Sequence, residues 1–289
     1  MEKYLKKNDI ISNDTTLIQK GVKDDPFIDV YKCNETNVIY LNKINCNRNY
    51  YQNISYFQNA IKLNLKKPIK EINYDNVKRL KHLKDILINT KNVLDFGCGE
   101  GYFINAVKSK YTNIDIYGVD ICKHNLEYCR SKNIECFKEL SYFEKNFFDV
   151  ITIFHVLEHL DNPIETLNKI KKYLKPNGKI IIEVPNGNDI LLSKYNIKEF
   201  HTFTHYSEHY VLYTYDTLKK LLKKSFLKNI NIFGIQRYNF INHLYWLKER
   251  KPNGHNIWSD MNNDIINIEY EKTLNKLKMT DTIFCICEK

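Results

Sequence analysis

Two groups of residues in this chain have the types and spacing to carry chemistry. The first is Asp95-Phe96-Gly97-Cys98-Gly99-Glu100-Gly101, with glycines at alternate positions directly after an apolar run. Glycines there let the backbone approach a ligand closely, and a helix starting behind them aims its free N–H groups at it. Asp120 ends a second apolar run about 20 residues further on, where a carboxylate can accept both hydrogen bonds of a ribose diol. The pair suits an adenosyl ligand. A dinucleotide site would need G-x-G-x-x-G, and the position for its last glycine is Tyr102.

The second group is His155, Glu158 and His159, spaced i, i+3 and i+4, which on a helical turn shares one face. Three readings are open for it. His159 can act as general base for a hydroxyl with Glu158 orienting its ring. All three can ligate a divalent metal that polarises the acceptor, imidazole and carboxylate suiting Mn, Fe or Zn. Alternatively, Glu158 and His159 fix a turn while His155 packs on the ligand. Further along, His201, His205 and His209 recur every four residues among Phe200, Phe203, Tyr206 and Tyr210, a period that would align the imidazoles on a helix. Their aromatic neighbours point to an acceptor lid.

These residues need a scaffold, and from about residue 90 short apolar runs alternate with amphipathic stretches, the pattern of a doubly wound, mostly parallel α/β sheet. Strands are expected at 92–96, 114–120, 134–137, 148–154 and 179–184, with 226–233 and 282–287 as a sixth and seventh forming an antiparallel ribbon. Helices are expected at 101–110, 126–132 and 216–224, and one opens at Pro163 with Asn162 as its cap. The run 148–154 is nearly continuous in apolar and β-branched residues, as befits a strand covered on both faces. Two additions decorate the core: residues 1–89, with Tyr50, Tyr51, Tyr56 and Phe57 ahead of a helix at 76–88, and the lid at about 186–215. A further insertion spans about 236–280.

In four places the chain resembles the class I S-adenosylmethionine-dependent methyltransferase family: VLDFGCGEG at 93–101, GVD at 118–120, FDVITIFHVLEHL at 148–160 and LKPNGKIIIEVPN at 174–186. The resemblance covers roughly residues 90–230 and implies a seven-stranded Rossmann-like sheet. It implies that Gly97, Gly99 and Gly101 pass the methionine part of S-adenosylmethionine, that Asp95 lies beside its amino group, and that Asp120 holds the ribose. Phe154 and His155 would flank the sulfonium. The Leu-Glu-His run at 157–159 resembles ubiquinone-type O-methyltransferases, whose E-x-x-E-H pattern goes with a metal; His155 stands here for the first Glu. Glu208 and His209 match an E-H pair of enzymes that modify polysaccharides and nucleotide sugars, making His209 a further catalytic candidate. The adenine-contacting acid found after the third strand in many members has no obvious counterpart; Glu139, Leu140 and Ser141 occupy that stretch.

Composition narrows the class of partner. The formal charge is +10, but only five of the 44 basic residues are Arg and the lysines are scattered, so a nucleic-acid footprint is not expected. The eight cysteines have no disulfide-scaffold spacing and are read as free thiols, with Cys285 and Cys287 on one face of a strand. No apolar stretch is long enough for a membrane span and the first residues lack a signal-peptide core, so the expected location is cytoplasmic. The reading is an O-methyltransferase using S-adenosylmethionine, with a divalent metal as an open addition, acting on a hydroxyl of a nucleotide-linked or glycan-precursor sugar. The alternatives are a quinone precursor, other phenol or amine as acceptor, and a degenerate fold kept as a binding subunit. Residues 1–89 would cover the pocket or build a homodimer interface.

Overall fold

A computed structural model describes residues 1–44 and 69–289. Tyr50, Tyr51, Tyr56, Phe57 and Cys46 lie outside the described residues. The strands are β1 (Thr15–Gln19), β2 (Val30–Cys33), β3 (Ile39–Leu41), β4 (Asn92–Phe96), β5 (Asp115–Val119), β6 (Cys136–Phe137), β7 (Phe148–Phe154), β8 (Leu174–Pro185), β9 (Val211–Leu212), β10 (Lys228–Ile235) and β11 (Thr282–Glu288). The described α-helices are α1 (Glu2–Lys7), α2 (Ile69–Leu87), α3 (Tyr102–Lys110), α4 (Lys123–Ser131), α5 (Pro163–Ile170), α6 (Ile190–Ser193), α7 (Lys198–Thr204), α8 (Tyr215–Lys224), α9 (Phe240–Glu249), α10 (Gly254–Ile257) and α11 (Asp264–Lys276).

Seven strands form the main sheet in the order β10-β11-β8-β7-β4-β5-β6. The pairs β7–β4, β4–β5, β5–β6 and β7–β8 are parallel, and β11 runs antiparallel to both β8 and β10. This is the expected sheet with its expected terminal ribbon. Central β7 is buried along almost all its length, which is why its sequence lacks the alternation of a half-exposed strand. Cys285 and Cys287 are both fully buried on one face of β11. The seven described cysteines are free thiols.

Local chemistry sets the helix ends. Thr214 and Thr217 form a reciprocal capping box that opens α8, whose buried stripe Tyr215, Leu218, Leu221 and Leu222 seats it on the core. Pro163 opens α5 as expected, but Asn162 makes no side-chain cap bond. The expected strand at 134–137 shortens to two residues, and the helix expected at 76–88 begins earlier, at Ile69.

A second, four-stranded sheet has the order β1-β2-β3-β9. It joins the N-terminal segment to the expected lid: Leu41 N donates to the Tyr210 carbonyl at 3.0 Å, and Lys23 N to the His205 carbonyl at 3.1 Å. Ser207 Oγ donates to Asp24 Oδ2 at 2.6 Å. The two additions to the main sheet therefore form one antiparallel structure. Among the described residues no helix is long and apolar enough to cross a membrane.

Candidate active site

The loop from Phe96 to Gly101 joins β4 to α3, and three of its glycines have positive φ, a region that costs residues with a Cβ. They do different work. A Cβ on Gly97 would lie 2.3 Å from Val156 Cγ2, so glycine lets the loop press against the segment after β7. A Cβ on Gly99 would meet nothing within 4 Å, since this residue lines the cavity. At Gly101, just ahead of α3, a Cβ would meet Ile134 Cδ1 at 2.7 Å and Cys129 Sγ at 3.3 Å. Replacing Gly97 by Ala adds strain of about 1–3 kcal/mol plus the clash, and is expected to weaken cofactor binding about tenfold or more by calorimetry.

The cavity beside this loop holds about 550 Å³, within the usual range for a ligand site. Its lining includes Gly97, Gly99, Asp120, Asn125, Glu139 and Leu140 together with His155, His159, Thr166, Ile170, Tyr210 and Ile44. Asp120 accepts from Gly99 N at 2.8 Å, Cys122 N at 2.8 Å and Asn125 Nδ2 at 3.2 Å, so the expected ribose ligand also braces the loop. An open glycine cradle facing a buried carboxylate fits an adenosyl ligand. The stretch 138–140, without an obvious role by sequence, lines the same cavity.

Asp95 and Phe154 do not line the cavity. Asp95 is buried, and Thr152 Oγ1 donates to its Oδ1 at 2.7 Å. Burial pushes its carboxyl up to about 6, against that hydrogen bond. Phe154 packs edge-on against Phe103 with its ring centroid 4.9 Å away, and the Arg79 guanidinium stacks 4.4 Å over its face.

His155 does not share a helical turn with Glu158 and His159. It sits at φ 53°, and Leu157–His159 is a single 3₁₀ turn behind it. Both its ring nitrogens face carboxylates: Nδ1 is 3.1 Å from Glu158 Oε1 and Nε2 is 3.0 Å from Glu183 Oε1. Glu183 also takes a forked pair from Arg79, Nε to Oε2 at 2.7 Å and Nη2 to Oε1 at 3.0 Å. Arg237 Nη1 lies 3.1 Å from His155 Nε2, and its Nε is 3.6 Å from Asp281 Oδ1. Arg79, His155 and Arg237 thus face Glu158, Glu183 and Asp281. Burial and the Arg237 charge oppose a cationic ring at His155, but hydrogen bonds to Glu158 and Glu183 prevail and raise its pKa. Against the cost of burial, Arg79 and His155 hold Glu183 well below the usual carboxylate range.

A second trio that shares two members with the expected ligand set also converges here. Glu158, His159 and His209 offer ligand atoms that lie within 4.8 Å of one another. Glu158 Oε2 and His209 Nδ1 are buried without a hydrogen-bond partner among the described residues. The His159 and His209 rings meet edge to face at 4.9 Å, and Tyr206 Oη bonds His209 Nε2. Burial lowers the pKa of His159 despite the neighbouring Glu158 charge, and burial together with the other imidazoles holds His209 well below its ordinary value. Both rings are therefore neutral near pH 7.

The three lid histidines do not align on a helix. α7 ends at Thr204, and His205 takes an extended conformation that lets its carbonyl bond Lys23. His201 pairs with Asn196 Oδ1 at 3.0 Å, His205 with Gln19 Oε1 at 3.1 Å, and His209 alone of the three reaches His159. Sequence reasoning missed Arg79, Glu183 and Arg237. The signal for Glu183 was present: a carboxylate inside the apolar strand Ile180-Ile181-Ile182-Glu183-Val184 needs a buried partner.

Residues 69–231, more than half of the 289-residue chain, match the family described as methyltransferase domain. The chain belongs to this family. The match takes in α2, which carries Arg79, so this methyltransferase domain begins ahead of the glycine loop. A S-adenosylmethionine-dependent methyltransferase from Archaeoglobus fulgidus has the same fold, with TM-score 0.52 and 23% identity over 75% of this chain and 94% of that one. The ubiquinone biosynthesis O-methyltransferase of Idiomarina loihiensis is 30% identical over 132 residues, 42% of this chain and 53% of the relative. That of Vibrio cholerae is 28% identical over 108 residues, 34% and 43% respectively. The chain spans about half the length of the curated relatives it matches.

Proposed function

We propose that this chain transfers a methyl group from S-adenosylmethionine to a hydroxyl of a ring-shaped small molecule, with His159 as general base. The observation that carries the reading is that the glycine cradle and His159 open into one cavity. When bound, S-adenosylmethionine supplies an electrophilic methyl group on a sulfonium. Gly97 and Gly99 let the backbone come close to it, and Asp120 offers a carboxylate for the ribose while bracing the loop. His159 is neutral near pH 7, so it can take the acceptor proton as oxygen becomes nucleophilic, with the Glu158 carboxylate 3.9 Å from Nε2 to stabilise the imidazolium. His155 is a positioning residue: its two carboxylate bonds fix Glu158 and the backbone ahead of the 3₁₀ turn.

A second reading is favoured by the unsatisfied Glu158 Oε2 and His209 Nδ1. With His159 these atoms fit a divalent metal, which would supply Lewis-acid polarisation of the acceptor oxygen. Metal analysis of the purified protein and the His209→Ala variant separate the two. The base reading expects that variant to keep most activity, and the metal reading expects loss of both metal and turnover.

For the acceptor, the quinone biosynthesis relatives support a phenolic ring ahead of the nucleotide sugar expected from the lid histidines, because His201 and His205 bond Asn196 and Gln19 and are not among the residues that line the cavity. We also propose that the N-terminal segment covers the cavity, since Ile44 and the β3-bound Tyr210 both line it. Titration calorimetry with S-adenosylmethionine is expected to show one site; no binding would remove the enzymatic reading. Methyl uptake from labelled cofactor into catechol-type phenols and into nucleotide sugars then ranks the two acceptor classes.

A further inference from the structure

Against the glycine loop, three cysteines from three elements converge. Cys98 stands between Gly97 and Gly99, Cys129 lies on α4 and Cys136 opens β6. Their sulfurs all lie within 4.8 Å of one another, with Cys98 Sγ to Cys136 Sγ at 3.1 Å, and all three residues are buried. The Gly99 carbonyl faces the same point, 3.5 Å from Cys129 Sγ and 3.7 Å from Cys98 Sγ. Two glycines clear the space. A Cβ on Gly118 would lie 2.6 Å from Cys98 Sγ and 3.1 Å from Cys136 Sγ, and one on Gly101 would lie 3.3 Å from Cys129 Sγ.

We propose that Cys98, Cys129 and Cys136 form a binding site for a thiophilic divalent cation, with Zn(II) as its natural size and softness, separate from the Glu158–His159–His209 cluster. Tetrahedral Zn(II) holds sulfurs at about 2.3 Å, which sets them roughly 3.8 Å apart, so sulfurs that all lie within 4.8 Å of one another need to shift by no more than about 1 Å. The Gly99 carbonyl, beside two of the three sulfurs, is the oxygen placed to supply a fourth ligand. Each thiol that ligates loses its proton to solvent and no electron is transferred, so the site needs no oxidant. Three thiolates with Zn(II) carry a net charge of −1, far easier to bury than three bare thiolates. Because Cys98 belongs to the cofactor loop, the cation pins that loop to α4 and β6, and metal and S-adenosylmethionine must affect each other's binding by the same factor.

The test uses the full chain freed of metal and titrated with Co(II) under reducing conditions. Thiolate-to-Co(II) charge-transfer absorption should saturate at one equivalent and be bleached by Zn(II). It should vanish in Cys129→Ser and Cys136→Ser and persist in His209→Ala and Cys285→Ser. Should the serine variants not fold, X-ray absorption of the Zn(II)-loaded wild type decides, with three sulfur neighbours at about 2.3 Å expected. A coordination shell of nitrogen and oxygen only, charge-transfer absorption that survives both serine changes, or a Cys98–Cys136 disulfide in the reduced, purified protein would each overturn the proposal.

Discussion

Replacing His159 by Ala is expected to slow methyl transfer by about 10²–10⁴-fold, the usual contribution of a positioned general base, while S-adenosylmethionine affinity stays close to that of the wild type. The separation is expected because the proposed base role of His159 acts on the acceptor proton, whereas the glycine loop and Asp120 are the residues read as holding the cofactor. Its sign with pH also follows from burial. A base must be unprotonated to act, and the His159 pKa lies below the ordinary histidine value of 6.5, so the acid limb of kcat should fall below pH 6.5. In the variant, the residual rate should lose that limb. If His159→Ala retains full turnover on an identified acceptor across neutral pH, both the base and the metal roles of this residue are wrong.

The sheet was legible because its strands carry their signal locally. The 148–154 run, the glycine turn and the carboxylates that end β4 and β5 each follow from a few consecutive residues, and burial on both faces of β7 is written as unbroken apolar character. The site was legible only where it was equally local. Asp120 and His159 are among the residues that line the cavity, and Asp95 and Phe154 are buried and are not.

What the sequence concealed depends on long-range pairing. The four-residue period of the lid histidines reads as a helix, yet His205 is drawn into extended backbone by Lys23, and Asp24 holds Ser207. Tertiary hydrogen bonds outweighed local periodicity there, and the same departure from helix carries His209 to His159. Arg79 and Arg237 lie 104 and 54 residues from Glu183, and nothing in their own neighbourhoods marks them out from surface arginines.

Removing the Arg79 side chain is expected to cost about 3–5 kcal/mol of stability in denaturant titration, because it leaves the Glu183 carboxylate buried with only His155 beside it. Arg79→Met combined with Glu183→Gln should recover part of that loss, since the combined variant no longer strands a buried anion. The pH dependence has two opposed limbs. Glu183 has a depressed pKa, so its contribution is fully present above the ordinary value of 4.5 and is lost as pH falls from there toward the folded-state pKa. His155 has a raised pKa, so its contribution is complete below 6.5 and is lost as pH rises through its folded-state pKa. The network therefore contributes most between those two values, and Arg79→Ala should flatten the acid limb. A stability loss under about 1 kcal/mol, the range of an exposed ion pair, would show that the fork between Arg79 and Glu183 does not hold α2 against β8.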